Sequence, residues 1–308
     1  MQTQPDWPAL RVADWAATRD TLQLWTQIAG KVRMAKAPMV NHWWHVTFAV
    51  GPRGLTTGAI PDGRRYFELA FDFVDQVLRV EVQGGERREV ALEPRSVADF
   101  YAATMAALRE LAIDVEIWPV PVELEHVIPF EQDTEPREYD AEAARSFWLQ
   151  LVQASRVLSI FRGRFAGKVS PVHLFWGALD LAVTRFSGRS APKHPGGAPN
   201  CADWVMVESY RSELSSCGFW PGGSEEGSFY AYAYPEPEGY RERPIRPAEA
   251  YYYADGGQFL LPYEAVRRAD DPDATLLAFL EDTYAAAADL GGWDRKALDY
   301  VPIEPTAG

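Results

Sequence analysis

Two hydrophobic periods alternate along the first part of the chain, one typical of helices and one typical of strands. An apolar stripe at helical spacing predicts a first helix that ends at Gly30. Aromatic and β-branched residues then predict a strand over residues 42–50 and, after a Gly-Pro-Arg-Gly turn, a hairpin partner over residues 55–60. Strict alternation over residues 67–73, followed by an apolar run over 77–82, predicts a half-buried antiparallel meander.

The same order of elements recurs further along the chain. Ser96 is the predicted N-cap of a helix that runs to residue 113 and closes the first series. The stretch over residues 118–140 is rich in Pro, Glu and Asp and has no sustained period, which predicts a linker. The second series is predicted to contain a helix over residues 141–161, a strand that begins at 173, a strand over 229–234 and a last helix over 273–290.

Residues 30–58 and 167–189 share an order of parts that indicates an internal repeat. Each segment begins with Gly-Lys-Val, continues with a Pro and with a His followed by aromatic residues, and ends with an apolar run, an Arg and a Gly. A repeat this long is not a solenoid period, and it favours an α+β fold of two related halves. Each half consists of a helix, an antiparallel β-meander and a C-terminal helix, and a pseudo-twofold axis relates them. Chance similarity between two amphipathic segments is the alternative. The predicted boundaries are residues 1–117 for the first half, 118–140 for the linker and 141–308 for the second half, with an insertion at 190–228.

The conformation of residues 173–186 decides which polar groups are able to meet. A helix would place His173 and Asp180 on one face, whereas a strand would place them on opposite faces and roughly 23 Å apart. The interior Gly177 and the aromatic and β-branched residues favour a central strand. We therefore expect that His173 and Asp180 do not share one small ligand. Buried on such a strand, Asp180 and Arg185 must be paired or hydrogen-bonded, and a structural role is expected of both.

His173 and His42 are the main candidates for chemistry. His173 opens its predicted strand beside a Ser-Pro turn, and His42 opens the matching strand of the other half. Under the pseudo-twofold prediction the two imidazoles face each other across a pocket between the halves, as acid–base or ligand-orienting groups. A core or capping role for either histidine is the alternative. Glu213 is the third candidate catalytic residue, in a polar segment that also holds Ser216 and Cys217.

Other polar and aromatic side chains are candidates for ligand binding. The tyrosines of FYAYAYPEPEGY form an aromatic belt that lines a pocket or, alternatively, belongs to the core of a sheet. The candidate ligand-binding residues are Asn41, Trp44, Trp176, Asp180, Arg185 and Tyr234.

Composition and charge narrow the classes of function. The 308 residues are 47% hydrophobic and carry a formal net charge of −14, which argues against nucleic acid or an anionic membrane as a partner. The N-terminus lacks the features of a signal peptide, and no run of about 18 apolar residues occurs, so a cytoplasmic location is expected. No spacing of His and Cys predicts a metal site, and no phosphate-binding loop, dinucleotide fingerprint or nucleophile elbow is present. The sequence indicates neither a cofactor nor an oligomeric state.

Four motifs, NHWWHVTF, SPVHLFWGALDLAVTRFSGR, GFWPG and FYAYAYPEPEGY, together resemble a bacterial family known as domain of unknown function 5996. The resemblance runs from about Trp7 to Leu298. It implies a cytoplasmic bacterial protein and brings no reaction and no cofactor with it. His45 departs from the polar amide that the family pattern leads us to expect at this position. The positions that match the family pattern are Asn41, His42, Trp43, Trp44, His173, Asp180, Arg185, Glu213 and Tyr234.

These patterns lead to one main functional hypothesis. Polar residues within aromatic strands indicate an enzyme, or an enzyme-like protein, that acts on a small organic molecule in a pocket between the two halves. The alternative is a binding or scaffold protein without catalysis, in which the aromatic belt holds a ligand or a partner.

Overall fold

The computed structural model describes residues 7–302, and no helix in this range is both long and apolar enough to cross a bilayer. The α-helices are α1 (Ala16–Lys36), α2 (Val97–Glu110), α3 (Ala141–Gly163), α4 (Asp203–Ser209), α5 (Tyr263–Arg267), α6 (Pro272–Leu290) and α7 (Arg295–Leu298). The β-strands are β1 (Ala49–Val50), β2 (Gly54–Thr56), β3 (Ile60–Asp62), β4 (Arg65–Asp72), β5 (Val77–Val82), β6 (Arg87–Ala91), β7 (His173–Phe175), β8 (Asp180–Ser190), β9 (Ser212–Trp220), β10 (Ser228–Tyr234), β11 (Tyr251–Tyr253) and β12 (Gln258–Pro262). Short 3₁₀ helices cover Val12–Asp14, Asn41–Trp43 and Phe130–Gln132.

The strands form two antiparallel sheets of six strands each, which confirms the predicted α+β class. The first sheet has the order β1-β2-β4-β5-β6, with β3 paired to β4. The second sheet has the order β11-β12-β10-β9-β8-β7. Alternation buries one face of each sheet; on β4, for example, Phe67, Leu69 and Phe71 are all buried.

The two sheets meet edge to edge at a single backbone bridge between Phe48 and Leu174. The Phe48 N–H donates to the Leu174 carbonyl at 2.9 Å, and the Leu174 N–H donates to the Phe48 carbonyl at 2.8 Å. Counted outward from this bridge, both sheets begin with a hairpin and continue as a meander. This arrangement agrees with two related halves, although duplication stays a prediction. If the halves are related through the bridge, the counterpart of His173 is Thr47 and not His42.

The long helices begin where the sequence predicts. The Ser96 hydroxyl accepts a hydrogen bond from the Asp99 N–H at the start of α2, and the Asp140 carboxylate caps α3 in the same way. The predicted end of α1 at Gly30 is wrong, because the helix continues to Lys36. A Cβ at residue 30 would lie 2.2 Å from Nε1 of Trp176. Gly30 is therefore explained by the close approach of an indole ring rather than by a helix stop.

The predicted strand over residues 42–50 is mostly wrong. Residues Asn41–Trp43 form a 3₁₀ turn, and only Ala49–Val50 are a strand. His42 and Trp43 have φ angles of 59° and 61°, in the left-handed region that residues with a side chain seldom adopt. Tertiary contacts thus override the aromatic and β-branched preference of this segment for a strand.

Residues 173–186 are also not one continuous strand. They form a hairpin in which β7 pairs with β8, so that His173 lies opposite Ala182 and Phe175 lies opposite Asp180. Gly177 lies in the connecting turn, and Leu179 before β8 has a φ of 56°. The turn reverses the chain and brings His173 and Asp180 to the same side of the sheet.

The segment over residues 190–228 contains regular structure that the sequence did not predict. It includes α4 and the strand β9, which lies between β8 and β10 in the second sheet. Its register places Gly218 between Ala182 and Tyr230, and Ser216 between Thr184 and Tyr232. The serines and glycines of β9, which resemble a loop composition, are explained by close packing in the middle of the sheet.

Candidate functional site

A cavity of about 210 Å³ lies against one face of the second sheet. Its floor consists of alternate residues on adjacent strands, which share one face because side chains alternate across a strand. These residues are Asp180, Ala182, Thr184 and Phe186 on β8, Leu214 and Ser216 on β9, and Tyr230 and Tyr232 on β10. The remaining lining residues are His42, Trp44, Glu123, His173, Phe175, Ala198, Met206, Ser209 and Tyr210.

Segments from outside the second sheet cover this face. His42 and Trp44 come from the first half of the chain, next to the 3₁₀ turn that precedes β1. Glu123 comes from the irregular segment between α2 and α3, and Tyr210 follows α4. The cavity therefore exists only because distant parts of the chain meet over the sheet.

The backbone of Glu123 is held in an unusual conformation beside the β7–β8 turn. Its φ angle is 60°, and its N–H donates to the Pro199 carbonyl at 2.8 Å. A Cβ at Gly177 would lie 2.1 Å from Oε1 of Glu123, so the glycine leaves room for the carboxyl group. His42 is a second lining residue with positive φ. Such conformations cost about 1–3 kcal/mol each and concentrate at functional sites.

Asp180 and Glu123 are two carboxyls with no cationic partner among the described residues. The Tyr230 hydroxyl donates to Oδ2 of Asp180 at 2.6 Å. Burial raises the pKa of Asp180 to about 6, although the bond from Tyr230 opposes the rise. Burial of the carboxyl group and the nearby Asp180 raise the pKa of Glu123 to about 7, although the residue as a whole is exposed. Both groups are thus placed to exchange a proton near neutral pH.

His173 is buried, lines the same cavity as the carboxyls and has one nitrogen without a partner among the described residues. Its Nδ1 lies 3.0 Å from the Thr47 hydroxyl, which also lies 3.2 Å from the Trp44 carbonyl. Since a carbonyl only accepts, the Thr47 proton goes to Trp44 and the imidazole proton belongs on Nδ1. Nε2 then carries a lone pair and has no hydrogen-bond partner among the described residues. Burial, with a smaller contribution from Arg33, lowers the pKa of His173 to about 3, so the ring is neutral.

His42 is fixed at both of its ring nitrogens. Its Nδ1 lies 3.0 Å from the Ser209 carbonyl, and its Nε2 lies 2.9 Å from Nζ of Lys168. The Nδ1–H therefore donates to Ser209, and Nε2 accepts from the ammonium group. Burial, with a contribution from Lys168, lowers the pKa of His42. His42 is thus a neutral, positioned wall residue, whereas His173 keeps a free acceptor.

Hydroxyl groups complete the polar part of the floor. The Thr184 and Ser216 hydroxyls are 2.9 Å apart, and those of Tyr210 and Tyr232 are 3.1 Å apart. Burial raises the pKa of Tyr210 and Tyr230 well above the usual range. These tyrosines therefore stay protonated. Tyr230 donates its proton to Asp180, and one hydroxyl of the Tyr210–Tyr232 pair keeps its proton for another acceptor.

The structure brings four of the sequence-predicted residues together, His42, Trp44, His173 and Asp180. Their roles in binding or catalysis stay predictions. The expectation that His173 and Asp180 are unable to share a ligand is wrong, because the hairpin places both along one cavity.

Glu213 and Arg185 do not line this cavity. Glu213 accepts hydrogen bonds from Arg189 and from the Ser187 hydroxyl, each at 2.5 Å. Burial acts to raise the pKa of Glu213, but these bonds outweigh it and lower the pKa. Arg185 points to the opposite face of β8, where its guanidinium lies 3.4 Å from the centre of the Phe161 ring. The expected structural role of Arg185 agrees with this burial against α3.

The other three candidates also lie outside the cavity. Trp176 packs on α1 and donates from Nε1 to the Val46 carbonyl at 2.8 Å. The Tyr234 hydroxyl donates to the Pro192 carbonyl at 3.2 Å. Asn41 is exposed at the surface.

Sequence reasoning did not single out Glu123 or Tyr210, and it named Tyr230 and Tyr232 only as members of the aromatic belt. A signal for the last two exists in the alternation of FYAYAY, where the positions that would face solvent are tyrosines instead of charged residues. This pattern indicates a second covered face. Glu123 lies in an irregular segment without periodicity, so no local pattern marks it.

Within residues 7–302, no group of three or more His, Cys, Asp or Glu side chains is placed to hold a metal ion. Comparison with known families matches residues 7–300 to the family described as "Family of unknown function (DUF5996)". No curated protein and no solved structure matches the chain.

Proposed function

The chain belongs to the DUF5996 family, whose function is unknown, and we propose that its cavity binds a small polar organic molecule and catalyses proton transfer on it. The observation that carries the proposal is that two carboxyls with raised pKa and a neutral imidazole line one small cavity. Displaced pKa values that concentrate in a cleft are typical of active sites.

The two kinds of group have complementary roles. A carboxyl whose pKa lies near the ambient pH is an effective general acid. Protonated Asp180 gives its proton to one atom of the bound molecule, and Nε2 of His173 accepts a proton from another atom. Transfer back between these groups through the ligand or water restores the starting state, so no other reactant is required.

The size and walls of the cavity support a small ligand. At about 30 Å³ per water molecule, a volume of about 210 Å³ equals about seven waters. Trp44, Phe175 and Phe186 supply apolar walls, and the hydroxyls of the floor supply donors that orient a polar group.

Untargeted turnover in a complex mixture of cellular metabolites tests this function. Wild-type protein should deplete at least one compound and accumulate its product by mass spectrometry, and Asp180→Asn should do neither. Asp255→Asn, which changes an exposed carboxyl in the turn between β11 and β12, is the matched control and should behave as wild type. Circular dichroism of each variant verifies that the fold persists.

The same experiment distinguishes an enzyme from a binding protein without catalysis. If no compound changes but one is retained by wild-type protein and not by Asp180→Asn, the cavity binds and does not catalyse. If Asp180→Asn turns over the same compound at the wild-type rate, the proposed role of the cavity is wrong.

A further inference from the structure

The cavity is rich in hydrogen-bond acceptors and carboxyl groups, and the described residues that line it include no Lys or Arg. The carboxyl group of Glu123 has no hydrogen bond or ion pair among residues 7–302, and that of Asp180 has only the Tyr230 hydroxyl as a side-chain partner. Ionised carboxylates away from water are unfavourable unless a positive charge or several donors face them. A cationic ligand would supply the positive charge that this pair lacks.

His173 supplies an independent observation of the same kind. Only 3% of this residue is exposed, and it lines the cavity with Nε2 unpartnered. A buried acceptor without a donor is unfavourable, and a ligand N–H would satisfy it. A neutral imidazole accepts from an ammonium group and does not repel it.

Lys168 shows that the walls already tolerate a cation. Its Nζ lies 5.3 Å from the centre of the Trp44 ring and 4.8 Å from that of Phe186. Aromatic faces attract cations at such distances. Lys168 itself does not line the cavity, because its ammonium group donates to Nε2 of His42. It therefore does not neutralise Asp180 or Glu123.

We propose that the molecule bound in the cavity is a small organic amine in its ammonium form, with the nitrogen beside Asp180 and Glu123 and the carbon skeleton against the aromatic walls. One carboxyl of the pair is ionised and faces the ammonium group, while the other keeps the proton that is transferred. This inference rests on the proposed function in that it assigns the ligand of the same cavity. An organic cation fits better than a metal ion, since no group of three metal-ligating side chains exists within the described residues. The net charge of −14 also attracts cations to the protein.

Matched pairs of probes test the charge of the ligand directly. Isobutylamine and benzylamine are compared with isobutanol, benzyl alcohol, isobutyrate and benzoate by isothermal titration calorimetry and ligand-observed NMR on the full chain at constant ionic strength. Each amine is expected to bind at least tenfold more tightly than its alcohol, and the carboxylates are expected not to bind. Magnesium chloride serves as the probe for an inorganic cation and should not displace the amines.

Two single-atom variants locate the binding. Asp180→Asn and Glu123→Gln should each weaken amine binding at least tenfold and leave binding of the alcohols within twofold. Glu125→Gln, two residues from Glu123 with an exposed carboxyl, is the matched control and should leave amine affinity unchanged.

The outcomes separate this inference from the function on which it rests. Equal binding of amines and alcohols, preferred binding of carboxylates, or displacement by magnesium would overturn the amine and leave a small-molecule cavity standing. If no probe of any class binds at its solubility limit, both the amine and the small-molecule cavity are wrong. Amine binding that is insensitive to both variants would place the site elsewhere and overturn the inference.

Discussion

The two sheets are alike on their inner faces and different on their outer faces. The inner face of each is apolar and packs on helices. The outer positions of β4 are Glu68, Ala70 and Asp72, whereas the matching positions of β10 are Tyr230, Tyr232 and Tyr234.

Charged side chains on the outer face of the first sheet pair with one another. Arg79 on β5 is 3.1 Å from Glu89 on β6 and 3.2 Å from Asp72. An acid of the second sheet, Asp180, lies under covering segments and has a tyrosine hydroxyl as its partner. This difference indicates that a carboxylate on a sheet has a structural role where Arg or Lys side chains pair with it. Where no cationic side chain pairs with it, the carboxylate is available to a ligand.

Replacing one acid on each sheet, in two separate variants, is the strongest test of this comparison. Asp180→Asn should reduce turnover by about 10² or more, the usual contribution of a general acid or base, with little loss of stability. Asp72→Asn should leave turnover per folded molecule intact and lower the free energy of unfolding by about 3 kcal/mol, since Asp72 is 1% exposed and pairs with Arg53 and Arg79. Kinetics and urea unfolding of both variants measure the contrast. If the two variants lose the same turnover and the same stability, the proposed difference between the two sheets is wrong.

Residues on the two faces of β8 are expected to differ in the same way, with one face important for stability and the other for ligand binding. Arg185→Ala should lower the free energy of unfolding by about 4 kcal/mol, because a buried guanidinium stacked on Phe161 is lost and its space is left empty. Ligand affinity of the folded variant should not change. Arg185→Met, which keeps most of the packing, should lose less stability. Weaker ligand binding without loss of stability would contradict the assignment of Arg185 to the helix side.

Two groups on the cavity side should give opposite dependences of stability on pH. The pKa of Asp180 is raised from 3.8 to about 6, so the folded state holds more protons in this window and stability falls as pH rises through it. At about 1.4 kcal/mol per unit, the loss is about 3 kcal/mol at pH 7. The pKa of His173 is lowered from 6.5 to about 3, so its contribution to stability rises with pH over that range.

These contributions largely cancel in the wild type, and single variants expose them. His173→Gln should become less stable from pH 4 to pH 6, with Glu123 adding to the effect of Asp180. Asp180→Asn should become more stable over the same interval, but by a smaller amount, because Glu123 still opposes His173. Urea unfolding at several pH values measures the two slopes, and parallel slopes in both variants would show that the cavity groups are not protonated as described.

The smallest expected effect concerns the position of Glu123. Gly177→Ala places a Cβ where the Glu123 carboxyl lies, and this flexible side chain should move aside at little cost to the fold. Ligand affinity should fall by about tenfold, or about 1.4 kcal/mol. Gly163→Ala is the matched control, since nothing lies within 4 Å of a Cβ at that position. Calorimetry with both variants decides, and an unchanged affinity in Gly177→Ala would show that Glu123 does not contact the ligand.

The fold was more predictable than the site. Helix caps at Ser96 and Asp140 and the alternation of β4 depend on neighbours in the chain, and these elements form where the pattern indicates. The hairpin at 176–179 escaped prediction because Gly177 is compatible with a strand interior as well as with a turn. Position 177 requires a glycine because the Glu123 carboxyl, from a distant segment, occupies the space of a Cβ.

The amino-acid sequence alone determined the α+β class, the long helices, the meanders and the prominence of His173, because periodicity and capping are local properties. Only the tertiary structure decided which polar residues share a cavity. It joined His173 with Asp180 through a turn, added Glu123 and the tyrosines, and assigned Arg185 and Glu213 to structural contacts. The physical reason is that the pKa and availability of a side chain depend on what covers it, and the covering segments here are far away in the chain.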